Sequence, residues 1–170
     1  VVVSEVLGFN PPRRALRRVH ERLLAAYGPQ HWWPGDSPFE VMVGAVLTQN
    51  TAWRNVERAI ANLEAAGALL PPAVASLPQA ELAALIRPAG YFNVKAQRLQ
   101  AFCRFLLEAG GVDALGARPT EALRHALLAV HGIGPETADD ILLYAFARPV
   151  FVIDAYTRRL LRRLGLAGGD

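Results

Sequence analysis

Apolar residues recur at three- and four-residue spacing along almost the whole chain, a period that fits helices and does not fit strands. Leu16, Val19, Leu23 and Leu24 repeat in this way between Arg13, Arg14, Arg17, Arg18 and Arg22. Pro12 opens that segment and Gly28-Pro29 closes it. Ser37, followed by Pro38 and Glu40, forms a capping box for a second helix. That helix carries Phe39, Val41, Met42, Val43, Ala45, Val46 and Leu47, so it is apolar nearly all round and reads as a buried central element. Further helices are expected at about 52–66, 79–86, 93–108, 120–130 (capped by Thr120), 135–147 and from Asp154 to about 164. The stretch 67–78, rich in Pro and Gly, reads as a connector. The expected class is all-α, with about eight helices and short connections.

Composition narrows the chemistry. With 52% apolar residues over 170 positions the chain suits a globular domain rather than a disordered one. No apolar run reaches the ~18 residues of a membrane span. Cys103 is alone, which excludes an internal disulfide, a four-Cys zinc site and a four-Cys iron–sulfur cluster built from these residues, and fits a reducing cytoplasm. Of 18 basic residues all but Lys95 are arginine, so a mechanism needing a lysine amine has one candidate. The net charge of +3 permits a nucleic-acid partner. Met42 is the only methionine and the sequence stops just past an amphipathic segment, so one or both natural ends are expected to lie beyond it.

Two segments can carry chemistry. In Val130-His131-Gly132-Ile133-Gly134-Pro135-Glu136-Thr137, two glycines flank one apolar residue between two amphipathic helices. Glycine allows the positive φ of a sharp reversal, Ile133 can plug the gap between the helices, and main-chain amides at such a joint suit a phosphate. The plain alternative is a helix–helix turn without a ligand. Between two strongly amphipathic helices, with Pro135 at the first helical position, the pattern is a helix–hairpin–helix motif, which grips a DNA backbone without reading sequence. In Phe151-Val152-Ile153-Asp154-Ala155-Tyr156, Asp154 follows an extended apolar run and begins a helix. It reads either as an N-cap or as a carboxylate on a cleft wall that stabilises a sugar cation and orients water, and the two roles are compatible.

The hairpin, followed about twenty residues on by an aspartate after Val-Ile, resembles the helix–hairpin–helix DNA glycosylases of the endonuclease III superfamily, over roughly residues 30–165. The resemblance implies a helix–hairpin–helix DNA glycosylase fold, truncated at its C-terminus. Residues 1–29 would then hold a helix that packs on a C-terminal region beyond this chain, and 30–170 would form the helical core. It implies that Asp154 is catalytic. It also implies that Gly132, Ile133, Gly134 and Thr137 meet DNA phosphate, with a monovalent cation possible at the hairpin. Bifunctional relatives carry a Schiff-base lysine where this chain has Glu136, and a carboxylate cannot form an imine.

Leu47-Thr48-Gln49-Asn50-Thr51, Trp32-Trp33-Pro34 and the run from Arg87 to Leu99 are most similar to the 3-methyladenine DNA glycosylase III branch. That branch is monofunctional, acts on alkylated purines, also has Glu at the lysine position and generally lacks the iron–sulfur cluster. The implied partner is double-stranded DNA with a damaged base, bound by a monomer in the bacterial cytoplasm, away from any membrane.

A flipped base needs aromatic faces, and a cationic alkylpurine is drawn to them. Trp32, Trp33, Pro34 and Trp53 are the expected pocket, although Trp is also a common packing residue. Gln49 and Asn50 either fill the gap the base leaves or pair within their own junction. Lys95, Arg98 and Arg158 are expected either at phosphates or on a solvated face, with Arg159, Arg162 and Arg163 beside Arg158 on one helix face. Two rival readings stand beside this one: an oxidised-pyrimidine glycosylase of endonuclease III type, and a helix–hairpin–helix DNA-binding protein with weak catalysis.

Overall fold

The computed structural model describes residues 12–30 and 32–167. Among the described residues every regular element is helical. In chain order, α1 is Arg13–Tyr27, α2 Pro38–Leu47, α3 Trp53–Ala65, α4 Pro71–Ser76 and α5 Gln79–Leu85. Then come α6 Phe92–Glu108, α7 Gly111–Gly116, α8 Thr120–Leu128, α9 Pro135–Asp140 and α10 Ala155–Arg163. A 3-10 turn spans Arg87–Ala89, and a π-helical stretch, Ile141–Ala145, continues α9.

The additions to the expected helices are α4 and α7, each six residues long. Neither is long enough to display a period. Pro71 opens α4 at its first position, inside a stretch whose composition reads as connector. α7 begins where Gly110 and Gly111 both take positive φ. The expected helix over 135–147 changes pitch after Asp140 rather than running as one α-helix. Thr120 is not an N-cap; Pro119 holds that position and no side chain caps α8.

The chain divides into two compact units, Val1–Pro34 with Phe151–Asp170, and Gly35–Val150. The last helix, α10, groups with the first, α1. Their shared core is small: Ile153 and Leu161 are buried, with Leu16, Leu166 and Ala167 packed against them. Leu16 is the residue of α1 that packs against this pair. Farther along α1, Leu23 and Leu24 remain 43% and 46% exposed, and no residue of α1 is fully buried.

The second unit is built around α2. Ser37 Oγ accepts from Glu40 N at 3.2 Å, while Glu40 Oε2 accepts from Asp36 N at 3.0 Å, so the return bond of the expected capping box falls on the residue before the cap. Phe39 and every residue from Val41 to Leu47 are buried. α3, α6, α9 and the π stretch pack round it. A helix this apolar has no face to give to solvent, so neighbours must enclose it.

The end of α2 is closed by the one lysine. Lys95, on α6, is 2% exposed, and its Nζ donates to Leu47 O at 2.8 Å and to Ala89 O at 2.7 Å. It thus satisfies the last carbonyl of α2 and that of the 3-10 turn together. Burial pushes its pKa down from 10.5 to about 8, and the Arg98 charge lowers it further in the same sense. Gln100, on the same helix, donates to Leu77 O at 2.7 Å and fixes the end of α4.

The lysine makes stability depend on pH with a definite sign. Between pH 8 and 10.5 the unfolded chain still holds a proton that the folded chain has released, so this residue's contribution to stability rises with pH across that window. The buried Cys103 thiol, pushed up to about 12, works in the opposite direction at alkaline pH but is common to parent and variant. Lys95→Met leaves two carbonyls without their donor, at about 1–3 kcal/mol each. Its deficit relative to the parent should grow by roughly 1–2 kcal/mol between about pH 7.5 and 9.5. Denaturant melts at the two pH values check this; a deficit independent of pH would mean that folded Lys95 stays protonated.

Candidate nucleic-acid interface

The hairpin is assembled by packing on both sides of a four-residue joint. Leu123 and Leu127 of α8, and Val130 just beyond it, are buried. Gly132 then takes φ 86°, and Ile133 turns inward to 5% exposure, donating its N–H to Val130 O at 3.1 Å. Ile133 is the plug that its place between two glycines calls for. Gly134 differs from the expectation of a second positive φ: it is extended at φ −92° and N-caps α9. A Cβ there would meet nothing within 4 Å, whereas one on Gly132 would lie 2.3 Å from Arg98 Cγ.

A staple that the sequence pattern does not announce spans the joint. Arg124 of α8 binds Asp139 of α9 through two parallel bonds, Nε to Oδ1 at 2.7 Å and Nη2 to Oδ2 at 3.1 Å. Both side chains are largely buried. A fork of this kind fixes distance and angle together, so the two hairpin helices are held by charge as well as by Ile133. Its only sequence signal is an Arg and an Asp fifteen residues apart, which in an unaligned chain is not distinctive.

Gln49 bridges the end of α2 to the hairpin. Its Nε2 donates to Gly132 O at 3.3 Å and to Thr137 Oγ1 at 3.0 Å, and Arg98 Nη1 donates to its Oε1. Gln49 thus pairs with the hairpin and with Arg98 rather than within its own junction. Thr137 is buried beneath this contact. Asn50, by contrast, is exposed and left-handed at φ 54°, a conformation that asparagine tolerates better than most residues.

Gln49, Asn50, Arg98, Gly132, Ile133, Gly134 and Thr137 therefore come together, with Glu136, around one cleft of ≈ 510 Å³. Trp53 begins α3 in the same unit, half-buried. Lys95 does not join them. Expected at a phosphate, it faces two main-chain carbonyls inside the core, because α2 and the 3-10 turn end where its amine lies.

The other candidates belong to the first unit. Trp32 is 62% exposed, Trp33 half-buried with φ 80°, and Pro34 exposed. Asp154 is the N-cap of α10, its Oδ1 accepting from Thr157 N at 2.6 Å. Arg158, Arg159, Arg162 and Arg163 are all exposed, Arg159 lying 4.9 Å over the Tyr156 ring.

Fold and hairpin together define an all-helical protein of the helix–hairpin–helix class. Residues 43–170 match the model of the HhH-GPD superfamily base excision DNA repair proteins, and the chain belongs to that family. It is 46% identical over 152 residues to a Methanocaldococcus jannaschii protein assigned as a DNA repair glycosylase, covering 88% of this chain and 69% of that one. It is 31% identical to the endonuclease III of Thermotoga maritima, over 75% of this chain and 57% of the relative. Against the Escherichia coli (strain K12) endonuclease III the identity is 32%, over 79% of this chain and 60% of the relative. The chain thus spans between about half and about two thirds of the length of these relatives. Among solved structures, the crystal structure of the H. pylori 3-methyladenine DNA glycosylase bound to 1,N6-ethenoadenine superposes with TM-score 0.78 at 34% identity, over 92% of this chain and 75% of that one. A non-covalent endonuclease III–DNA complex shares the fold, with TM-score 0.77 at 24% identity over 91% and 69%.

The two glycines should answer differently to the same substitution. Gly132→Ala meets both a positive φ and the Arg98 side chain, and should cost at least about 1–2 kcal/mol. Gly134→Ala should melt within about 0.5 kcal/mol of the parent, since neither strain nor contact opposes it. Thermal melts of the two variants decide; equal losses would show that Gly134 is strained after all.

Proposed function

We propose that the protein is a monofunctional DNA glycosylase that hydrolyses the N-glycosidic bond of a flipped, N-alkylated purine. The observation that carries the monofunctional reading is the state of the chain's amines. Glu136 stands at the rim of the hairpin cleft where lyases of the family carry lysine. The one lysine is enclosed, with its ammonium bound to two carbonyls. A pKa near 8 is what a reactive amine needs, but a buried amine cannot reach a deoxyribose. The alkylpurine reading is supported by the likeness to the H. pylori 3-methyladenine enzyme, at a higher identity than the endonuclease III structures give.

In this reading the hairpin main chain at Gly132 to Gly134 takes a phosphate. The absence of a side chain at Gly134, where a Cβ would have room, lets the strand approach the backbone closely. Second lone pairs on the Val130 and Gly132 carbonyls suit a monovalent cation, which would brace the turn and carry no chemical step. Asn50 fills the gap left by the flipped base, because Gln49 is committed to the hairpin. Trp32, Trp33 and Trp53 supply stacking faces. The cap holds Asp154 through Oδ1, which leaves Oδ2 to face the sugar, where it stabilises the oxocarbenium-like cation and orients the attacking water. An alkylated purine leaves as a neutral base, so no strong general acid is required.

The test uses three duplexes, carrying methylated purines, thymine glycol or an abasic site. Base release is expected from the first alone, and borohydride should trap no covalent adduct on the third. Asp154→Asn should lower release at least about 100-fold while duplex affinity holds or rises. Release from thymine glycol with a trapped adduct would establish the endonuclease III type instead. Binding without release from any duplex would leave a DNA-binding protein.

A further inference from the structure

The modest charge of the whole chain hides a division between its two units. Unit Gly35–Val150 holds nine basic and eleven acidic residues, a net of −2. The described residues of the other unit hold nine arginines against Glu21 and Asp154, a net of +7. The hairpin cleft thus sits in the unit with the acidic balance, and attraction for a polyanion is concentrated in the other. Four of the nine arginines are those of α10. The remaining five are on α1.

On α1 the arginines occupy one side. At 3.6 residues per turn, Arg13, Arg14, Arg17, Arg18 and Arg22 fall within an arc of roughly 180°, opposite the stripe of Leu16, Val19 and Leu23. All five are exposed. Arg14, Arg18 and Arg22 follow at every fourth residue, a rise of about 6 Å each, so their guanidinium groups line one edge of the helix. Among the described residues the ion pair on α1 is Arg17 with Glu21 at 3.6 Å, both widely exposed. The helix is oriented by its contact with α10 through Leu16, so the basic arc is a surface of the folded unit and not a loose tail.

We infer that the arginine arc of α1 is a second DNA-backbone contact of this protein, beyond the hairpin, binding duplex phosphates without regard to sequence or lesion. The inference rests on the reading of the chain as a DNA glycosylase for its choice of polyanion. Arginine forks match phosphate oxygens two at a time, and an arc with one carboxylate among five guanidiniums suits a polyphosphate better than a mixed-charge protein surface. A basic amphipathic helix also suits an anionic membrane surface. Membrane binding would use the whole apolar stripe; here Leu16 is packed on α10 while Leu23 stays 43% exposed, so vesicle binding is measured beside DNA binding.

The experiment is binding of an undamaged duplex by fluorescence anisotropy across a salt series, which needs no excision and so stands even if the glycosylase reading fails. Arg14→Gln/Arg18→Gln/Arg22→Gln keeps helix-forming residues while removing three charges. The slope of log affinity against log salt should become shallower by roughly 2–3, with affinity at low salt falling about ten-fold or more. Single-turnover base release at saturating protein should be unchanged, which Asp154→Asn would not show. Arg14→Lys/Arg18→Lys/Arg22→Lys should keep the parent slope. If the triple Gln variant melts early, Arg18→Gln/Arg22→Gln is read in its place, with a slope change of roughly 2. A folded variant with the parent slope overturns the inference. So does one that loses binding to phosphatidylserine vesicles while its DNA slope stays unchanged.

Discussion

The fold of the larger unit turns on how the buried helix α2 ends. A helix with no solvent face still has carbonyls at its C-terminus that need donors, and in a dry core a missing donor costs about 1–3 kcal/mol. The chain meets this with Lys95, which reaches in from α6 and takes the Leu47 carbonyl together with that of Ala89. Two residues farther on, Gln49 is bonded to Gly132 and Thr137. The exit of the central helix and the turn of the hairpin are therefore parts of one polar junction. Removing Lys95 disturbs the same junction from which the cleft is built.

Much of this was legible because it is periodic or punctuated. The capping box at Ser37, the all-round apolar α2, the Pro and Gly stops and the inward Ile133 follow from patterns that a single sequence displays. The family was legible from the hairpin and the aspartate that follows it. Other features were not. α4 and α7 are shorter than two turns, so they carry no period, and tertiary packing makes them helices. The Arg124–Asp139 fork and the Gln100 bonds depend on pairs distant in sequence, and no local rule marks them. The grouping of α1 with α10 depends on one leucine of α1 meeting Ile153 and Leu161, which helical spacing alone does not reveal.

Lys95 shows how residue type can mislead. A sole lysine in an arginine-rich chain invites a role at phosphate or in Schiff-base chemistry, and exposed lysine is the rule. Its position, not its type, decides the matter. Arginine could not replace it: the pocket offers two carbonyls converging on one nitrogen, which suits a compact ammonium and not a planar fork. The reverse choice appears at Arg124, where two parallel carboxylate bonds require the fork. At these two positions the cation is matched to the geometry of its acceptors.

The glycines of the hairpin teach a related lesson about what an absent side chain is for. Gly132 needs its lack of Cβ twice, for a positive φ and for the Arg98 chain lying against it. Gly134 needs it for neither, since its backbone is extended and the space beside it is open. An interior constraint accounts for the first. Folding leaves the second unexplained, and the open space faces the cleft shared with Asn50 and Glu136. Close approach of a ligand backbone would account for the missing side chain, which is the role that the proposed phosphate contact gives Gly134.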